Sequence, residues 1–175
     1  WAAGVAEGGE AAAGAALDLV ANFNANTIPA VFIEQYSPGS KIFKDVWERI
    51  IDAAEQYNEP GRFTAFIGYE WTSMPNSNNL HRNVIYRDGA DFARRMNPLT
   101  VAESFNPEDL WRWMATYEET TGGRVLAVAH NGNLPNGLMF PDEIKPVTGQ
   151  PRTPDPARNR IPREPQYATT QPTGE

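Results

Sequence analysis

Three side chains in this sequence have the types and spacing to act together. Glu70, His81 and His130 combine one carboxylate with the only two histidines of the chain. Glu70 closes a short apolar run, Phe63-Thr-Ala-Phe-Ile-Gly-Tyr69, and His130 closes another, Arg124-Val-Leu-Ala-Val-Ala129. His81 follows Glu70 by eleven residues and stands just ahead of a third run, Asn83-Val-Ile-Tyr86. Neutral imidazole and carboxylate are the usual ligands of Zn, Mn or Fe in hydrolases, so the trio is a candidate site for a divalent metal. Each residue also has an ordinary reading. A glutamate at a strand end is commonly solvated or paired with arginine, and a lone histidine is commonly a hydrogen-bond partner.

Elements with recognisable patterns must hold these residues. Val46, Trp47, Ile50, Ile51 and Ala54 share a face at helical spacing and predict an amphipathic helix over about residues 41–56. Asn58-Glu59-Pro60-Gly61 stops it. The Phe63 run is nearly continuous in apolar residues, as expected of a strand covered on both faces. Asn106-Pro107-Glu108-Asp109 is a helix start with an Asn cap and Pro at the first position. Leu110, Trp113, Met114 and Tyr117 then form one apolar face, which Gly122-Gly123 ends. The order helix, strand, strand, helix, strand predicts an α/β fold with mostly parallel strands, as a barrel or an open sheet. Function in such folds gathers beyond the carboxyl ends of strands, which is where Glu70 and His130 fall.

Other residues carry weaker signals. Arg82, beside His81, could hold an anion or pair with an acid at the core edge. Asn131 and Asn133 follow His130 in a stretch rich in Asn and Gly. They read as turn chemistry, with hydrogen bonding that orients His130 as the sharper alternative. Trp71, Trp111 and Trp113 could stack on a sugar, but Trp113 lies on a core face and packing is the better reading. Glu108, Asp109, Glu118 and Glu119 could include paired acid/base carboxylates, but they sit at helix ends, where cap and surface roles are commoner. A Gly-rich phosphate loop, a G-x-S-x-G elbow and H-E-x-x-H are all absent.

Composition bounds the rest. The chain has 175 residues, 41% hydrophobic, with a net charge of −7 and no cysteine. That is enough apolar content for a core. The charge argues against nucleic acid as a partner, because phosphate contacts need clustered Lys and Arg, yet a small anionic substrate stays compatible if a metal supplies positive charge. Without cysteine there is no disulfide, thiolate ligand or cysteine nucleophile, and no apolar run approaches the roughly 20 residues of a membrane span. Three zones follow from composition: an Ala/Gly-rich segment over residues 1–30, an α/β domain over 31–140, and a Pro-rich loop or continuation over 141–175. Twelve of the first sixteen residues are Ala or Gly; they read equally as weak helix or mobile segment.

Four strings together carry a family resemblance: Glu59-Pro-Gly-Arg-Phe-Thr-Ala-Phe-Ile-Gly-Tyr-Glu-Trp-Thr-Ser73, Asn79-Leu-His-Arg-Asn-Val-Ile-Tyr86, Pro107-Glu-Asp-Leu-Trp111 and Ala129-His-Asn-Gly-Asn-Leu-Pro-Asn-Gly-Leu-Met-Phe140. In this order they resemble the bacterial family known as domain of unknown function 3604, which looks like a branch of the PHP (polymerase and histidinol phosphatase) superfamily. The likeness is strong over about residues 47–140, weaker toward the C-terminus, and absent over residues 1–30. It implies a partial, distorted β/α barrel with a multinuclear metal centre. In that picture Glu70 bridges metals, His81 and His130 each bind one, and Asn131 and Asn133 lie around the site. The resembled sites also use an H-x-H motif and a further histidine upstream, and a D-x-H motif downstream. None of these is in this sequence, and Pro135 stands where Ser is expected. The expectation is a chain truncated at both ends, inactive by itself.

Two functional expectations follow. The first is a fragment of a metal-dependent hydrolase of the phosphoesterase type, which uses metal-activated water and acts on a small molecule; no other catalytic group is assigned. The second is a non-catalytic binding module on a degenerate PHP-like fold. A glycosidase-like use of paired carboxylates ranks last. The resembled proteins are often exported, so a periplasmic or secreted location is the expectation for an intact protein, while the residues themselves select no compartment.

Overall fold

Two consecutive left-handed glycines shape the first part of the chain. The computed structural model describes residues 1–25, 27–132 and 134–139, apart from the side chains of Phe23 and Asn24. It divides into two compact units, Trp1–Phe43 and Lys44–Glu175. In the first unit, α1 (Ala2–Glu7) and α2 (Gly9–Asn24) are joined through Gly8 at φ 82° and Gly9 at φ 54°, a conformation open to glycine at little cost. The turn folds α1 back on α2. A Cβ at Gly4 would come within 3.0 Å of Ala15 Cβ and 3.1 Å of the Ala11 carbonyl oxygen, so small residues permit the close approach. Trp1 Nε1 donates to Asp18 at 2.6 Å. A third helix, α3 (Ala30–Tyr36), places Phe32 edge-on to Trp1. The Ala/Gly-rich start is therefore helical.

The second unit is built on α4 (Lys41–Tyr57), β1 (Gly68–Trp71), β2 (Arg82–Tyr86), α5 (Ala90–Ala93), α6 (Pro107–Thr121) and β3 (Val125–Ala129), with a 3-10 turn at Pro75–Ser77. The apolar face of α4 is narrower than its sequence pattern predicts. Trp47 and Ile51 are buried, but Val46 and Ile50 are largely exposed, because they sit about 100° around the helix from the buried pair. The α6 pattern matches closely. Asn106 caps it through a bond from the Glu108 N–H at 3.2 Å, and Gly122 at φ 76° ends it. Leu110, Trp113, Met114 and Tyr117 are buried on its inner side, and so is Trp111.

The sheet corrects the expected topology. The three strands lie in the order β1-β2-β3, and both pairings are antiparallel. They do not form a parallel β/α barrel. Between β1 and β2 there is no helical crossover, only residues 72–81 with the 3-10 turn. A chain that returns so directly pairs antiparallel, whereas a parallel partner needs a crossover of a dozen or more residues. The apolar runs were a poor guide because parallel and antiparallel strands share the same residue types. The Phe63 run is also not covered on both faces. Only its end belongs to β1, and Phe63 and Phe66 are 59% and 60% exposed.

Alternation explains the exposure of Phe66, next to the inward Ile67. Ile67 and Trp71 point inward and are buried, as are Val84, Tyr86, Val125 and Ala127 from the other strands. They form one core with Trp47 and Ile51 of α4 and with the inner side of α6. The opposite face carries Glu70, Asn83, Ile85, Leu126 and Val128, all exposed or half-buried among the described residues. Aromatic rings dominate the core. Trp47 lies edge-on to Tyr69, Tyr86 lies edge-on to Tyr117, and Trp113 stacks on Tyr117 at 5.8 Å.

Burial raises the Tyr69, Tyr86 and Tyr117 hydroxyls above the ordinary tyrosine range, far above it at Tyr69 and Tyr86, and the negative charge of Glu103 adds to the effect at Tyr69. The neutral phenol is the form that fits the core. The unfolded chain ionises these groups near their ordinary value of about 10 while the folded chain does not, so their contribution to stability is intact below about pH 10 and is lost as pH rises further. Phenolate absorbance is expected to show these three tyrosines titrating only together with alkaline unfolding. Independently, Leu110→Ala is expected to cost about 2–5 kcal/mol in urea denaturation, whereas Phe66→Ala on the open face changes stability by less than about 0.5 kcal/mol.

Candidate metal centre

The antiparallel sheet gathers the three candidate residues at one end. Because β1 and β3 both run opposite to β2, their carboxyl ends and the start of β2 share an edge of the sheet. Glu70 lies in β1, His130 directly follows β3, and His81 directly precedes β2. Register settles the face. Glu70 pairs with Asn83, and Asn83 with Val128, on the open side. Continuing the alternation by two residues puts His81 and His130 on that same side.

The side chains meet at hydrogen-bond distance. Glu70 Oε1 lies 2.9 Å from His81 Nδ1 and 3.1 Å from His130 Nε2. The two imidazole rings are 6.0 Å apart between centroids. One ligand atom from each of the three residues falls within 4.8 Å of the others. With Nδ1–H of His81 donating to the carboxylate, its Nε2 is left as the basic nitrogen, and that atom is buried without a hydrogen-bond partner. The donor set fits a divalent cation in kind and spacing. Tetrahedral bonds of about 2.0–2.2 Å from imidazole and carboxylate place ligand atoms roughly 3.4 Å apart, slightly wider than the hydrogen bonds seen here. A cation at this site thus needs only a small change in the two oxygen–nitrogen distances, while the ligand atoms, spread over as much as 4.8 Å, must draw closer together. The same contacts also form a hydrogen-bonded cluster without any metal, although His81 Nε2 stays unpartnered in it.

Two loops carry the histidines, and they are tied to each other. Residues 72–81 close on themselves through the Leu80 N–H bond to the Ser73 carbonyl at 2.9 Å. Residues 130–139 turn through Asn136 and Gly137, both at positive φ. Asn131 Nδ2 donates to Asn79 Oδ1 at 3.2 Å, and Asn136 Nδ2 donates to Asn78 Oδ1 at 2.6 Å. Leu80, Ala129 and Met139 form a small apolar cluster at the join. Asn133 and the Pro-rich stretch over 141–175 lie outside the described residues.

Arg82 is placed differently from its neighbours in sequence. Strand alternation turns it to the inner side, where it is fully buried. Its guanidinium lies 5.9 Å from the Trp71 ring and donates to the carbonyls of Leu80 at 2.5 Å and Met139 at 3.0 Å. It therefore braces both loops from beneath the site. The alternative carboxylates hold local structural contacts instead. Asp109 accepts from Ser104 Oγ at 2.5 Å, and Glu118 lies 3.7 Å from Arg124. Trp71, Trp111 and Trp113 are all buried, so they offer no sugar platform.

Fold and site together define a two-layer α/β unit with a carboxylate–imidazole cluster on its open sheet face. Over residues 2–175 the chain matches the family described as "Protein of unknown function (DUF3604)", and it belongs to that family. The match takes in the first thirty residues, where no likeness was expected. No curated protein and no solved structure matches the chain.

The bracing role of Arg82 has a measurable consequence. Arg82→Leu leaves the carbonyls of Leu80 and Met139 without their donor and is expected to cost about 2–4 kcal/mol in urea unfolding. Arg82→Lys should recover less than half of that loss, since a single ammonium cannot span both carbonyls while lying over Trp71. Full recovery by lysine would show that charge alone matters at this position.

Proposed function

We propose that this chain carries part of the metal centre of a PHP-like, metal-dependent hydrolase of the phosphoesterase type. The observation that supports it is the convergence of Glu70, His81 and His130 from three separate strand ends onto one carboxylate oxygen. Two imidazoles and one carboxylate are a ligand set used by catalytic zinc sites, which keep a further position open. The site lies on the exposed side of the sheet, with Glu70 itself 44% exposed, so a small molecule can reach it. A divalent cation in such a site supplies an activated water at neutral pH and neutralises charge that develops on an anionic substrate.

The chain's own residues contribute binding and orientation. Glu70 would hold a cation through its carboxylate, and His81 and His130 both approach the same carboxylate oxygen, Oε1. The phosphoesterase class and the multinuclear centre rest on the resemblance of this family to the PHP superfamily. A non-catalytic binding module is the competing reading, favoured by the fact that Glu70 already accepts hydrogen bonds from both imidazoles without a cation.

Metal titration separates the two. Because the resembled sites draw on a larger ligand set, Zn²⁺, Mn²⁺ or Co²⁺ is expected to bind saturably but weakly and to be lost on gel filtration without added metal. Glu70→Gln, His81→Ala and His130→Ala should each weaken binding by about tenfold or more. Saturable binding that survives the triple substitution, or no binding of any of the three cations by the wild type, would sink the metal-centre reading and favour the binding module.

A further inference from the structure

A single asparagine joins the two loops that carry the histidines. Asn79 Oδ1 accepts from the backbone N–H of His81 at 3.2 Å and from Asn131 Nδ2, also at 3.2 Å. The first bond holds the residue that bears one imidazole, and the second holds the immediate neighbour of His130. The Asn79 backbone N–H also donates to the Leu134 carbonyl at 3.4 Å. Both sides of the imidazole pair are therefore referred to one side-chain oxygen, which is half-buried. Two further ties join the same loops. Asn136 reaches Asn78, and Arg82 reaches the Met139 carbonyl; neither bond involves His81, His130 or Asn131.

We infer that Asn79 is the positioning residue of the site: its side-chain oxygen sets the separation between the His81 and His130 rings, so that both can reach Glu70. The geometry has a chemical reason. Beyond the end of the strand ladder, no backbone pairing keeps residue 81 in register with residue 130, since the last paired row is Trp71, Arg82 and Ala129. An acceptor that takes one N–H from each side restores that register just where the ladder stops. Asparagine suits the task because its short, planar amide forms a local bond to the backbone two residues on and keeps a second lone pair for the partner loop. An imidazole held this way loses less freedom when it binds a cation, and groups that orient ligands typically govern affinity by about 10–100-fold. The inference rests on the metal-centre reading for its consequence, but the ring separation can be read without any metal.

The test uses the full 175-residue chain and four variants: Asn79→Ala, Asn79→Asp, Asn131→Ala and Asn136→Ala. Two readouts are taken, the nuclear Overhauser cross-peaks between the two imidazoles in the metal-free protein and the affinity and visible spectrum of Co²⁺. Asn79→Ala is expected to lose the cross-peaks and to weaken Co²⁺ binding by about tenfold or more. Asn79→Asp keeps the acceptor and should restore both readouts to within a few-fold of wild type, and Asn136→Ala should leave both unchanged. Asn131→Ala, which removes only one donor, should fall between. If Asn79→Ala fails to fold, Asn79→Asp and Asn131→Ala carry the test. The inference is overturned if the wild type shows no imidazole cross-peaks, if Asn79→Ala or Asn131→Ala retains both readouts, or if Asn136→Ala is as damaging as either. Absence of Co²⁺ binding in the wild type counts against the metal-centre reading alone, because the cross-peaks still decide the role of Asn79.

Discussion

The pairing of β2 between β1 and β3 is the constraint on which the site depends. Its antiparallel sense on both sides sends the ends of β1 and β3 to the place where β2 begins. Its register decides which side chains share a face. A slip of one residue would turn Glu70 inward and Trp71 outward, and every neighbour with them. What prevents the slip is the core. Val84 and Tyr86 of β2 pack with Trp47 and Ile51 of α4 and with Leu110, Trp113 and Tyr117 of α6, so helix packing on the inner face fixes the positions of polar groups on the outer one.

The same alternation produces two different fates for adjacent polar residues. His81 and Asn83 face the open side, while Arg82 between them goes to the interior. A buried guanidinium is costly unless its donors find acceptors. Here it meets two backbone carbonyls and an aromatic face, and each of those contacts also restrains a loop of the site. The interior thus supports the site from below, and the asparagine bonds connect its loops from above. Stability and site geometry are coupled at Arg82 in a way that they are not at Leu110, whose contacts lie wholly in the core.

The carboxylate–imidazole cluster admits two chemical readings. With protons on the facing nitrogens it is a compact hydrogen-bonded unit. As the proposed ligand set of a cation it keeps the two oxygen–nitrogen distances within a few tenths of an ångström, but its ligand atoms, spread over as much as 4.8 Å, must draw closer together. Membership of the family assigns no activity by itself, so the chemistry of these three side chains carries the functional reading. The absence of an H-x-H or D-x-H motif from the sequence leaves Glu70, His81 and His130 as the set on which that reading stands.

Local elements and the identity of the candidate residues are legible in the residues alone. Helical periodicity located α4 and α6. The Asn106 cap and the Gly122 stop bounded α6, because these signals depend on interactions within a few residues. The two histidines and Glu70 were conspicuous for the same reason: they end or precede apolar runs. Strand direction was beyond reach, because apolar residues in a short run do not encode which neighbour they pair with; the parallel sheet inferred from them was wrong. The exposure of Phe63 and Phe66 was missed with it, since it depends on which face the helices cover. The inward turn of Arg82 and the linking role of Asn79 were also hidden. One follows from sheet register, and the other from two loops some fifty residues apart in sequence meeting in space. That three residues at strand ends share one oxygen is a property of the folded chain, because it needs the antiparallel topology, the register and the loop ties to act together.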